Sequence, residues 1–344
     1  MGVTLLLGAQ DHPTDGVRDF AECLAVALRA RGVETSVTQL AWDEMGWRRA
    51  MSALRGLEGT VLLQYTHLAW SRRGFPFGAW HVFRAVQRTG ARAGVVLHDP
   101  SPFGGARLRD RVRTGVQRAV VRRLARHSSP IFSTLESQVV PVLEGIEPAP
   151  EFLPAGSNVP TAPVGLRTDH EFRVAVFTIT KRDADEARMV AAIMTRVAER
   201  VSSVRLTVFG RGAAEAEAVL RSVLGPVPLT LFGVIDAQEI ARILAGSDAM
   251  LFVRGAASSR HGTIVAAIAH GLPVVASEGQ ETGPAIHRAG VVLFRAGDID
   301  DAAEKFVRLA MDPAYADGLR RLQRSAHDEV FSWSRIAQTV EATS

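Results

Sequence analysis

The stretch SSRHGTIVAAIAHGLPVVAS, Ser258–Ser277, sets two hydroxyls, an arginine and a histidine directly before an alanine-rich helix. The helix stops at His270-Gly271 and the chain returns as an apolar strand. A helix opening at Gly262-Thr263 leaves its first amides unpaired and adds partial positive charge there. Such an end accepts a phosphate-like anion. Arg260 can add a two-point contact to the same oxygens, and His261 a further hydrogen bond. A plain helix start with a solvated arginine fits the same residues.

Two strand ends earlier in the chain carry side chains that could act on a ligand. His98 and Asp99 close the apolar run GVVLHDP, where Asp99 could serve as a base or simply open a turn with Pro100. His67 and Trp70, in QYTHLAW, either line a binding surface or lie buried. Gly16 follows the first strand, where a glycine lets backbone approach a ligand or forms an ordinary turn.

Alternating elements must hold these residues. VTLLL, GTVLLQY and ARAGVVL read as strands separated by helical segments, one stopping at Arg31-Gly32 and the other FGAWHVFRAVQRTG. Residues 148–166, with five prolines, read as a linker. The alternation then resumes: FRVAVFTIT, VRLTVFG, LTLFG and AMLFVR as strands, with helices between. This predicts an α/β chain of two Rossmann-like, doubly wound parallel-sheet domains facing a cleft. The expected bounds are 1–160 and 161–330, followed by a helix at 331–344 that docks on a neighbouring surface or stays with the second domain.

Composition agrees with two globular domains. The chain has 344 residues, 47% apolar and 22% charged, with net charge +4. That excess demands no nucleic-acid partner. Cys23 is the single cysteine, which excludes an internal disulfide and a cysteine-built metal site. The run VTLLL is short for a signal peptide and lacks a basic flank, and no stretch approaches the ~20 apolar residues of a membrane span. A cytoplasmic chain is expected.

VRLTVFGRG, LTLFGVIDAQEIARILAGSDAMLFV, AIAHGLPVVAS and GVVLFRAGDIDDAAEKFVRLAMDP occur in an order that resembles the donor half of retaining, metal-independent nucleotide-sugar glycosyltransferases of GT-B fold. These are the group 1, or family 4-like, enzymes. TDGVRDFAECLAVALRARGVETSV, VVLHDP and FLPAGSNVP are similar to the family's first half. One departure stands out. The family's Glu-x7-Glu carboxylates fall on Ser258 and Ala266, and SSRHGT resembles a subset with a small-Arg-basic-Gly-Ser/Thr pattern instead.

The resemblance implies transfer of a sugar from a nucleotide diphosphate-sugar to an unidentified acceptor, with no cofactor and no metal. It implies donor binding by Gly16, Lys181, Arg182, Ser258, Arg260, His261, Gly262 and Thr263. Glu281 is placed to replace a missing carboxylate, and Arg211 is a weaker phosphate candidate. His98 and Asp99 become the catalytic pair, while His67 and Trp70 fall on the acceptor side. Residues 107–126 hold eight arginines and one acid, with Leu108, Val112, Val116, Val120 and Leu124 as an apolar stripe. That helix either packs its stripe on the sheet or makes a peripheral contact with the inner membrane face. Two other readings share the fold: a catalytically silent partner protein, and a nucleotide-sugar epimerase or hydrolase.

Overall fold

The structure, a computed structural model, describes residues 2–9, 16–71, 73–105, 107–163, 169–180 and 184–343. The chain divides into two compact units, Met1–Gly156 with Trp333–Ser344, and Ser157–Ser332.

The first unit runs β1 (Val3–Leu7), α1 (Gly16–Ala30), β2 (Thr35–Gln39), α2 (Trp42–Met45), α3 (Trp47–Ser52), β3 (Thr60–Tyr65), α4 (Phe77–Arg88), β4 (Arg92–Leu97), α5 (Leu108–His127), β5 (Ile131–Ser133) and β6 (Glu151–Phe152). Its sheet is parallel in the order β2-β1-β3-β4-β5-β6. Every residue of β1 and β3 is buried, as expected of strands covered on both faces.

The second unit runs β7 (Phe172–Phe177), α6 (Ala184–Ala198), β8 (Val204–Phe209), α7 (Ala213–Val223), β9 (Leu229–Leu231), α8 (Ala237–Ala245), β10 (Ala249–Ala256), α9 (Gly262–Ala269), β11 (Val274–Ser277), α10 (Pro284–Arg288), β12 (Val292–Phe294), α11 (Ile299–Met311) and α12 (Pro313–Ala326). Its sheet is parallel in the order β12-β11-β10-β7-β8-β9. Asp236, Asp298 and Asp312 each accept a hydrogen bond from an amide in the first turn of the helix that follows, which explains where α8, α11 and α12 begin. Ile264–Ile268 of α9 are all buried, so that helix is apolar all round rather than on one stripe. A π-turn, His327–Phe331, leads to α13 (Trp333–Thr343). Ile336, Ala337 and Val340 of α13 are buried with Phe20 and Leu24 of α1, in the core of the first unit.

Two expectations from sequence are corrected. The proline-rich stretch is not linker throughout: Glu151 and Phe152 pair with Phe132 and Ser133 and complete the first sheet. A two-residue strand among prolines carries no periodicity to read. The apolar stripe of α5 is also not one face. Leu108 and Val112 are 77% and 53% exposed, whereas Gln117, Val120, Val121, Leu124 and Ala125 are buried. A four-residue spacing advances about 40° per step on a helix of 3.6 residues per turn, so Leu108 and Leu124 stand about 160° apart.

Candidate functional site

In the second sheet the chain builds outward from β7 to β9, then returns to the other side of β7 with β10. The carboxyl ends of β7 and β10 therefore flank the point where strand order reverses, the preferred ligand crevice of an open parallel sheet. The stretch that begins at Ser258, between β10 and α9, starts here.

β10 pairs with β11 regularly to Phe252↔Ala276, then jumps to Ala256↔Ser277. The residues between bulge out, and Gly255 takes a φ of 80° that favours glycine. The bulge carries Arg254, which is half-buried. Its Nε is buried and has no hydrogen-bond partner among the described residues. Burial lowers the basicity of Arg254, the charges of Arg211 and Arg260 lower it further, and Glu186 opposes them. The charges of Arg211 and Arg260 thus both act on Arg254.

Beyond the bulge, Ser258 is fully buried and its Oγ has no partner among the described residues. Arg260 donates from Nε to Glu281 Oε2 at 2.8 Å. Glu281 comes from the loop after β11, which Thr282 ties down by donating to the Ala257 carbonyl. His261 caps α9, its ring 4.8 Å from that of Phe252. Burial, with Arg260 and Arg254 nearby, pushes His261 down to about 3, so its ring is neutral at physiological pH. Gly262 and Thr263 open the helix, and no acid stands in the first turn. A side chain at Gly262 would meet nothing within 4 Å.

The opposite wall is the end of β7. Thr178 adopts a φ of 73°, a conformation suited to glycine, and is nearly buried. Such backbone strain, about 1–3 kcal/mol, gathers at functional sites. Thr180 donates from its amide and hydroxyl to Glu186. Lys181 and Arg182 lie outside the described residues. Sequence reading passed over Arg254, although an arginine ending an apolar run just before glycine is the available signal.

The remaining candidates belong to the first unit. His98 Nε2 lies 2.8 Å from Gln64 Oε1, and Gln64 Nε2 donates to the Leu62 carbonyl. With its Nε2 on the Leu62 carbonyl, Gln64 presents its oxygen to His98. His98 must therefore carry its proton on Nε2, leaving Nδ1 as a hydrogen-bond acceptor. Its ring meets Phe20 edge-on at 4.8 Å. Asp99 is half-buried, and with burial its carboxylate raises the Tyr65 phenol. His67 turns both nitrogens inward: Nε2 donates to the Ser101 carbonyl at 3.0 Å, and Nδ1 accepts from the Tyr65 hydroxyl at 2.9 Å. Trp70 is 1% exposed and donates to the Gln64 carbonyl. Gly16 opens α1 and is exposed. Among the described residues, no group of three or more His, Cys, Asp or Glu gathers as a metal site, and no helix is long and apolar enough to cross a membrane.

Burial pushes His98 down to about 3 and His67 to about 4, from an ordinary 6.5. The unfolded chain binds more protons than the folded one between those values. Stability held near pH 7 is therefore lost as pH falls through 6.5 toward 4. Calorimetry across pH 4–7 should show Tm falling with acid. His98→Gln, which can still donate to Gln64, should flatten that slope; an unchanged slope would sink the assignment.

Comparison with known proteins gives the site its context. The model of the family "Glycosyl transferases group 1" matches residues 174–312. The second unit is a group 1 glycosyltransferase domain. The fold of the chain is GT-B. A sucrose-phosphate synthase from Thermosynechococcus elongatus aligns with a TM-score of 0.75 at 17% identity, covering 99% of this chain and 98% of that one. The Anabaena protein HepE, in complex with UDP and glucose, aligns at 0.70 and 13%, covering 100% and 99%. WaaG, a glycosyltransferase involved in lipopolysaccharide biosynthesis, aligns at 0.62 and 13%, covering 99% of each. No curated protein sequence matches the chain. In this glycosyltransferase domain the matched segment holds β10, α9 and the Arg254–Arg260–Glu281 cluster.

Proposed function

We propose that the glycosyltransferase moves a sugar from a nucleoside diphosphate-sugar to an acceptor hydroxyl, with retention at the anomeric carbon and no metal. The observation that carries this reading is the arginine cluster beside the open N-terminus of α9, at the β7/β10 switch point. The UDP and glucose held by HepE support the donor class.

In this reading Arg254 and Arg260 meet the diphosphate with the amides of Gly262 and Thr263, joined by Arg211, Lys181 and Arg182. Ser258, His261 and Thr263 border the same group, and Glu281 aims Arg260. The bond from the anomeric carbon to the β-phosphate oxygen breaks, and the acceptor oxygen bonds that carbon on the same face. The acceptor proton passes to the departing diphosphate, whose charge the arginines stabilise. His98 Nδ1 accepts from a substrate hydroxyl and Asp99 orients another, while Gly16 lets backbone approach. Exposed Leu108 and Val112 among the arginines of α5 support peripheral contact with an anionic membrane surface.

The test is transfer from a panel of nucleotide sugars in EDTA, with the product's anomeric configuration read by NMR and vesicle co-sedimentation run alongside. Turnover with retention is expected. Nucleoside diphosphate binding without any turnover would replace this reading with the silent-partner one. That alternative rests on Ser258 and Ala266, both fully buried where the family has carboxylates.

A further inference from the structure

The first sheet has its own reversal: β2 and β3 flank β1, so strand order turns there. At the carboxyl ends of these strands lies a pocket of about 670 Å³, within the range of small-molecule sites. Its apolar wall is Trp42, Trp47, Met51, Trp70, Phe75 and Phe77.

The polarity of this wall selects the ligand. Trp42 donates from Nε1 to the Ala69 carbonyl, and Trp70 from Nε1 to the Gln64 carbonyl. These two indole N–H groups are thus used within the protein, and their rings offer the pocket carbon. The Trp42 and Trp47 rings stack at 4.7 Å and 11°, forming a flat slab. Gly78 makes room for it: a Cβ there would lie 2.3 Å from the Trp47 ring. Ser71 Oγ already accepts from the amides of Arg73 and Phe75. A sugar would find too few partners here for its hydroxyls.

Positive charge sits at the mouth. The exposed Arg73 side chain lines it and has no ion pair among the described residues. The start of α4 lines it too, with no acid in its first turn, and His81 stands one turn on. A twelve-residue helix adds partial positive charge at that end.

We propose that this pocket binds an amphiphile with an apolar body, ring or chain, ending in a single anionic group. The body lies on the indole slab and the anion meets Arg73 and the start of α4. Such a molecule, where it also carries a free hydroxyl, is the acceptor of the transfer reaction; that last step rests on the proposed function, but the binding does not.

The experiment is titration of the full chain, without donor, followed by tryptophan fluorescence. Dodecyl phosphate tests a chain and 2-naphthyl phosphate a ring, with dodecyltrimethylammonium as the cationic counterpart. Saturable binding of at least one phosphate probe, at least tenfold tighter than the cation, is expected. Arg73→Gln, at an exposed position, should weaken the phosphate probe about tenfold, the effect of one charge-assisted contact. No saturable binding, equal affinity for both charges, or an unchanged Arg73→Gln would overturn the proposal. So would self-association, by sedimentation velocity, that the probes do not compete with. A chain that binds the probes but transfers no sugar would keep the pocket and refute the transferase reading.

Discussion

Replacing Arg254 with alanine should weaken nucleoside diphosphate binding roughly 10- to 150-fold, as expected for loss of charge-assisted hydrogen bonds worth about 1.5–3 kcal/mol. The ligand-free protein should not lose stability. Arg254 holds a buried, unpartnered Nε beside the charges of Arg211 and Arg260, so its removal relieves repulsion and desolvation. Affinity and stability should therefore move separately, which a purely structural arginine would not produce. Arg260→Ala should cost less affinity, because its Nε is engaged with Glu281 rather than held open. Glu281→Gln should then weaken binding through Arg260, and the two substitutions should be non-additive. Titration calorimetry and thermal denaturation read both quantities. Unchanged diphosphate affinity in Arg254→Ala would remove the residue from the site.

Gly8→Ala should destabilise the first unit by about 3 kcal/mol, lowering its Tm by roughly 6–12 °C. A Cβ at Gly8 would lie within hard contact of the Ala69 carbonyl oxygen, and near the Trp70 ring as well. That oxygen accepts hydrogen bonds from the Ala9 amide and from Trp42 Nε1, so displacing it breaks the tie between the loops after β1, β2 and β3. Gly16→Ala is the contrast. A side chain at Gly16 would meet nothing within 4 Å among the described residues, and alanine suits a helix start better than glycine. Its Tm should hold or rise, while turnover with a nucleotide sugar falls if the backbone there approaches substrate. Unchanged turnover would make Gly16 an ordinary turn residue. A Gly8→Ala protein as stable as the parent would mean that the loops yield more easily than their hydrogen bonds suggest.

Much of the architecture was written in local pattern. Fully apolar runs such as TVLLQY and VVLHD mark strands covered on both faces, and capping aspartates at 236, 298 and 312 mark helix starts. These signals lie within a few residues, so they survive without knowledge of the fold. Short strands did not: Glu151–Phe152 is held in the sheet by partners 19 residues away, and nothing local announces it. The arginine helix failed for a related reason. Its four-residue spacing looks like one stripe, yet the helix turns away from it, and only packing against the sheet showed which part is buried.

The site divides in the same way. Sequence by itself determined an α/β chain with a helix start at Gly262-Thr263, because an unpaired helix end follows from the backbone alone. It also marked Ser258 and Ala266 as lacking carboxylates. Only the tertiary structure decided that Arg260 acts on Arg254, that Glu281 from another loop answers Arg260, that His98 carries its proton on Nε2, and that tryptophans of α2, α3 and the loop after β3 make one pocket. Each of those facts is a meeting of residues distant in the chain. Charge, tautomer and solvation are set by such neighbours, and strand order rather than residue order chooses them.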